Sequence, residues 1–95
     1  MQPEIRGVIE QYVDFALSDA QMLGYQRYVN ALRPYVKSIE DAVFGLVVGM
    51  IIASCIDQII FYTRGKLTPN HIEKLQEIVM QKIQRIRSRV LETLV

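Results

Sequence analysis

Ninety-five residues with one cysteine and a formal charge of +1 make one small domain with no internal disulfide, and they leave no basis for a thiolate zinc site within the chain. A chain this short buries only about 60–65% of the surface that its unfolded form exposes. Oligomerisation or a larger partner is then the remaining source of extra burial.

Apolar residues recur at steps of three and four almost throughout, which is a helical period. The expected fold is all-α: a single domain over 1–95, an antiparallel bundle of about four helices. Pro3 and Glu4 suit the first turn of a helix over about 4–16, with Ile5, Val8, Ile9, Tyr12 and Ala16 on one face. Ser18-x-x-Gln21 is a capping-box pattern and opens a second helix over about 19–36, striped by Met22, Tyr25, Val29, Leu32 and Val36. Pro34 removes a backbone donor inside that span and is expected to kink it. Ser38, followed by Glu40 and Asp41, is an N-cap with acids where the helix dipole favours them. It opens a third helix over about 39–64, stopped by Gly65. Thr68 as N-cap and Pro69 at the first helical position open a fourth over about 69–94. Its stripe is Ile72, Leu75, Val79, Ile83, Ile86 and Val90.

The third helix holds the most information. AVFGLVVGMIIASCI, residues 42–56, is uncharged and apolar on every side. At 100° per residue, Ala42, Gly45, Gly49, Ile52, Ala53, Ile56 and Ile60 share one side. Val43, Val47, Met50, Ser54 and Phe61 lie opposite. Such a helix is expected to be central, buried on every face or set in a membrane. Gly45, Gly49 and Ala53 lie at steps of four and leave a groove for close backbone approach, which Asp57 continues. Two interior glycines each cost about 1 kcal/mol relative to alanine and so need a packing reason. The groove is read either as tight packing against the first or second helix within the chain or as a candidate interface, Gly45, Gly49, Ile52, Ala53, Ile56 and Asp57, meeting the same patch on another copy across a two-fold axis. Replacing Gly49 by leucine is expected to abolish both association and folding.

A membrane span is the third reading. Fifteen residues rise about 22 Å against a hydrocarbon core of about 30 Å, and a longer span takes in Asp57. Basic residues flank both ends (Arg33, Lys37, Arg64, Lys66), and tryptophan is absent. The second reading is nucleic-acid binding. His71, Lys74, Lys82, Arg85 and Arg89 project along one border of the fourth helix, and Arg27 sits among tyrosines in YQRYVNALRPYVK. Lys74, Lys82, Arg85, Arg89 and Arg27 are its candidate contacts, to phosphates or to an acidic partner surface. The alternative for this edge is pairing with acids such as Glu4, Glu10 or Asp14.

Nothing in the sequence builds a catalytic constellation. His71 is the only histidine, and no HExxH or Glu-x-x-His pattern exists. Arg64-Gly-Lys-Leu-Thr68 lacks the earlier glycine and preceding strand of a phosphate loop. The four serines have no nucleophile-elbow context, and Cys55 has no adjacent activating base. No enzyme activity, cofactor or metal is expected. The lone cysteine fits a reducing, cytoplasmic setting, and no signal peptide is expected from MQPEIRGVIEQ. The function expected is that of a small interaction or adaptor protein, a homodimer or a docked accessory subunit.

Overall fold

Three N-caps set helix starts. The hydroxyls of Ser18 and Ser38 accept the backbone N–H of Gln21 (3.4 Å) and Asp41 (3.2 Å), and Thr68 accepts that of His71 (3.2 Å). Each satisfies a donor that a helix start leaves without a partner. They open α2 (Asp19–Leu32), α3 (Ile39–Tyr62) and α4 (Pro69–Gln81); α1 (Pro3–Ala16) precedes them and α5 (Ile83–Leu94) follows. The structure is a computed structural model that describes residues 3–94, with side chains from Ile5 onward. It is all-helical, with no strand among the described residues.

Two boundaries differ from expectation. Pro34 does not kink α2. The helix ends at Leu32, and Pro34 sits in the first turn of a short 3-10 segment, Arg33–Tyr35, where its missing N–H costs nothing. The expected fourth helix is two, α4 and α5. They part at Lys82, whose N–H reaches back three residues to the Val79 carbonyl (3.0 Å). No glycine, proline or capping side chain marks that point. Gly65 does end α3 near the expected place. Arg64 (φ 56°) and Gly65 (φ 85°) both take the left-handed conformation, and Gly65 N–H closes on the Ile60 carbonyl at 2.8 Å.

Five helices pack around one core, and α3 touches all four of the others. Its 24 residues rise about 36 Å in a molecule of 41 × 22 × 20 Å, so it runs nearly the full length. Beyond their contacts with α3, α1 also meets α4, and α2 meets α5. The face α3 turns inward is the row Val43, Val47, Ile51, Cys55 and Ile59, one residue per step of four. Against it pack Ile5, Ile9 and Val13 of α1, Met22, Tyr25 and Val29 of α2, Leu75 and Val79 of α4, and Ile86 and Val90 of α5. No polar side chain is buried among the described residues.

The central position expected for helix 3 therefore holds on one face only. Over its most apolar 18 residues the mean hydropathy is 2.2; 28% of them are fully buried, and Phe44, Val48, Ile52 and Ile56 are half-buried against the core.

Two consequences can be measured. Ile51→Ala removes a side chain that is 1% exposed, and its cost is expected at about 2–5 kcal/mol in denaturant unfolding. Burial pushes the Cys55 thiol from 9.0 up to about 11. The folded form thus keeps a proton that the unfolded form loses, and this contribution to stability falls as pH rises from about 9 to about 11. A thiol reagent is expected to react with Cys55 only at the rate of unfolding.

Candidate functional site

The outward side of α3 is built from what its inward row leaves over. With Val43, Val47, Ile51, Cys55 and Ile59 committed to the core, the row Gly45, Gly49, Ala53 and Asp57 points to solvent. A Cβ at Gly45 or Gly49 would meet nothing within 4 Å. The glycines therefore serve no close packing inside the chain, and the expectation that leucine at 49 abolishes folding has no steric basis. Ile52 and Ile56 are half-buried against the core, and Leu46 is half-buried. Met50 and Ile60 are exposed, as is Phe61 at the helix end, 74% open. The structure brings Gly45, Gly49, Ala53 and Asp57 together on one open face, with Ile52 and Ile56 along its border.

Asp57 is exposed and in no ion pair among the described residues. It is the one charged residue within the outward row from Gly45 onward, so an uncharged strip of three helical turns ends on a carboxylate.

The apolar surface continues past α3 in a way the helix periods did not indicate. Phe15 lies off the inward stripe of α1 and is 58% exposed. It lines a shallow cleft with Tyr12, Tyr25, Met50 and Ser54. Met50 also borders a depression of about 490 Å³ beside Tyr25, Arg27, Tyr28 and Ala31. A non-periodic aromatic in an otherwise striped helix was the available signal for Phe15.

The basic edge is largely occupied by carboxylates. Arg85 pairs with Asp14 at 2.7 Å, and Lys74 with Glu77 at 3.3 Å. Arg89 donates to the Leu17 carbonyl (2.9 Å) and to Glu92 (2.8 Å), and also pairs with Asp19. Its pKa is raised, chiefly by the Glu92 hydrogen bond and then by Asp19. Arg89 in this way ties α5 to the α1–α2 junction. Arg87, on the other border, holds Asp41 (3.2 Å) and Glu40 (2.5 Å) and lies 5.0 Å over the Phe44 ring. Of the expected pairing acids, Asp14 is used as supposed and Glu10 pairs with Arg6 instead, at 3.1 Å. Glu4 lies outside the residues whose side chains are described. Arg27 and Lys82 make no ion pair among the described residues.

His71 is used structurally. Its Nδ1 accepts the Thr68 N–H at 3.2 Å while Thr68 accepts the His71 N–H, a reciprocal capping box. The depression next to it, about 600 Å³ between α1, α4 and the end of α3, is lined by Ile5, Tyr62, Thr63, Lys66, Thr68 and Asn70 together with His71. No group of three His, Cys, Asp or Glu side chains that could hold a metal ion occurs among the described residues.

Because Arg89 bridges two elements, Arg89→Glu is expected to lower Tm, whereas Arg27→Glu leaves it within a degree or so of the parent. Thermal unfolding of the two variants side by side checks this. Comparison with protein-family models, with curated proteins and with solved structures found no match for this chain.

Proposed function

We propose that this chain is a small, non-enzymatic helical interaction protein whose working surface is the outward face of α3. The observation that carries the reading is that α3, whose mean hydropathy reaches 2.2 over 18 residues, leaves Gly45, Gly49, Met50, Ala53 and Ile60 exposed to solvent. Water penalises such a face at about 25 cal/mol per Å², and a partner that covers it removes the penalty. The glycines fit the same reading. With no neighbour inside the chain, each costs helix stability and returns nothing until a second backbone lies in the groove.

The shape of the chain supports an incomplete unit. Its surface of 6157 Å² exceeds the about 5600 Å² typical of a compact monomer of its mass. Its radius of gyration is 14.2 Å against about 12.4 Å for a compact 95-residue domain. The basic edge plays no part in this reading, since its arginines are held by the chain's own acids.

A membrane is the second reading, favoured by the length of α3 and by aromatic and basic side chains near both ends, Tyr35 with Lys37 and Tyr62 with Lys66. Against it stand the charged residues of α1, α2, α4 and α5, which pack along α3 and would enter the hydrocarbon with it.

Sedimentation of the purified chain at micromolar concentration is expected to give an oligomer without detergent. Gly49→Leu is expected to sediment as a monomer and to be more stable at high dilution, by about 0.5–1 kcal/mol, because leucine is the better helix former. A parent chain that is monomeric and soluble alone, or one recovered only with phosphatidylcholine–phosphatidylglycerol vesicles, would overturn the proposal. So would a Gly49→Leu chain that associates as the parent does.

A further inference from the structure

We propose that the turn between α3 and α4 is a peripheral docking site for an anionic phospholipid surface. This goes beyond the association face proposed for α3 and concerns one end of the molecule. Because α3 runs nearly the full 41 Å length, its last turn and the loop that follows lie at a tip. Three consecutive large apolar side chains end the helix there, and all are open: Ile60 at 39%, Phe61 at 74% and Tyr62 at 52%. The two rings meet edge to face, with centroids 5.7 Å apart. Behind them come Arg64 and Lys66, both exposed and in no ion pair among the described residues. No Asp or Glu occurs from Gln58 to Ile72. The backbone of the turn is held in place. Gly65 N–H reaches the Ile60 carbonyl at 2.8 Å, Lys66 N–H that of Thr63 at 3.2 Å, and the Thr63 hydroxyl donates to the Ile59 carbonyl at 2.7 Å.

The arrangement favours a lipid surface over other anionic partners. Ile60, Phe61 and Tyr62 leave the helix 100° apart, so no single groove of a folded partner takes all three, whereas a fluid interface does. Aromatic rings beside cations suit the headgroup layer, where the ring meets acyl chain and the cation meets phosphate. A nucleic acid would engage the rings and the cations but give Ile60 no partner. Asp57 sets the depth. It lies four residues before Phe61, about 6 Å back along the axis, and interfacial side chains enter by about 5–10 Å. The tip therefore enters while the rest of α3 stays outside. Beside the tip, the depression of about 600 Å³ is lined by Lys66, Thr68 and His71. His71 accepts at Nδ1, so its neutral ring carries the proton on Nε2, and each of the three has a donor for a phosphodiester headgroup.

Vesicle co-sedimentation of the full chain tests this, with phosphatidylcholine vesicles beside phosphatidylcholine–phosphatidylglycerol ones. The parent is expected to pellet with the anionic vesicles, to stay in solution with phosphatidylcholine alone, and to be released by salt. Arg64→Asn and Lys66→Gln are each expected to weaken binding about five-fold, asparagine being tolerant of the positive φ at 64. Phe61→Ser is expected to weaken it about ten-fold. Leu23→Ser, which removes a comparably open apolar side chain from α2, is expected to leave it unchanged. A parent that is monomeric without lipid yet shows this pattern supports the inference while overturning the proposed function. No pelleting with either vesicle overturns the inference. Equal pelleting with both that survives high salt overturns it as well, since that is α3 inserted as a span. So does a loss in Leu23→Ser as large as in Phe61→Ser, or no loss in any tip variant. A salt-sensitive complex with polyuridylate that needs Arg64 and Lys66, in the absence of vesicle binding, overturns it in favour of a nucleic acid.

Discussion

The structure depends on a mismatch between one long helix and the four short ones that must cover it. A helix that is apolar on all sides asks for neighbours all round, and amphipathic helices of 12 to 14 residues each offer one stripe. Placed along a strut of 24 residues, they cover one row of side chains and its borders. Everything else follows from which row that is. Val43, Val47, Ile51, Cys55 and Ile59 are medium-sized or branched and fill the core, while the row facing away holds the glycines that could fill nothing. The division makes sense energetically, because β-branched and aliphatic side chains gain most from burial and glycine gains none. The same division creates the exposed face.

The polar half of the molecule serves the same arrangement. Arg87 holds Glu40 and Asp41 at the start of α3, and Arg89 spans from Leu17 and Asp19 to Glu92. These contacts lie at the ends of helices, where short elements would otherwise fray. Each is a surface contact of modest energy, yet together they fix where α5 lies relative to α2 and α3. One arginine of the basic edge, Arg89, and one from the other border, Arg87, thus link α5 to its neighbours. Arginine suits the task better than lysine would, since its planar fork meets a carbonyl and two carboxylates from one position.

How much of this was legible in the sequence depends on the kind of signal. Helix starts were readable wherever a hydroxyl stood at an N-cap: Ser18, Ser38 and Thr68 each do locally what their spacing says, and Gly65 ends α3 by adopting a positive φ. These are properties of three or four consecutive residues. The break at Lys82 was not readable, because it has no local punctuation and arises where α4 and α5 dock on different neighbours, α1 and α2. Pro34 was readable as a breaker, although its mild outcome, the end of a helix and not a kink, depended on a 3-10 turn that propensity does not distinguish. For α3 the period was plain and the buried side was not. A helix with apolar residues all round carries almost no amphipathic asymmetry, so sequence alone could list two candidate sides without choosing. For the basic edge, Asp14 was a nameable pairing acid and does meet Arg85, whereas projection on one helix does not show Asp19 arriving at Arg89 from the start of α2.

The choice of side also decides what the glycines mean. Had Gly45 and Gly49 faced α1 or α2, they would explain a close crossing within the chain, and nothing would remain to be covered. Facing outward, they are unfavourable in the isolated chain on two counts: helix propensity is lowered, and backbone is opened to water beside exposed Met50. Alanine at either position would remove the first penalty without touching any neighbour. Two local choices that lower the helix propensity of α3 thus lie together on its open face. Asp57 fits the same logic. At the end of the strip it keeps the open face from being uniformly apolar.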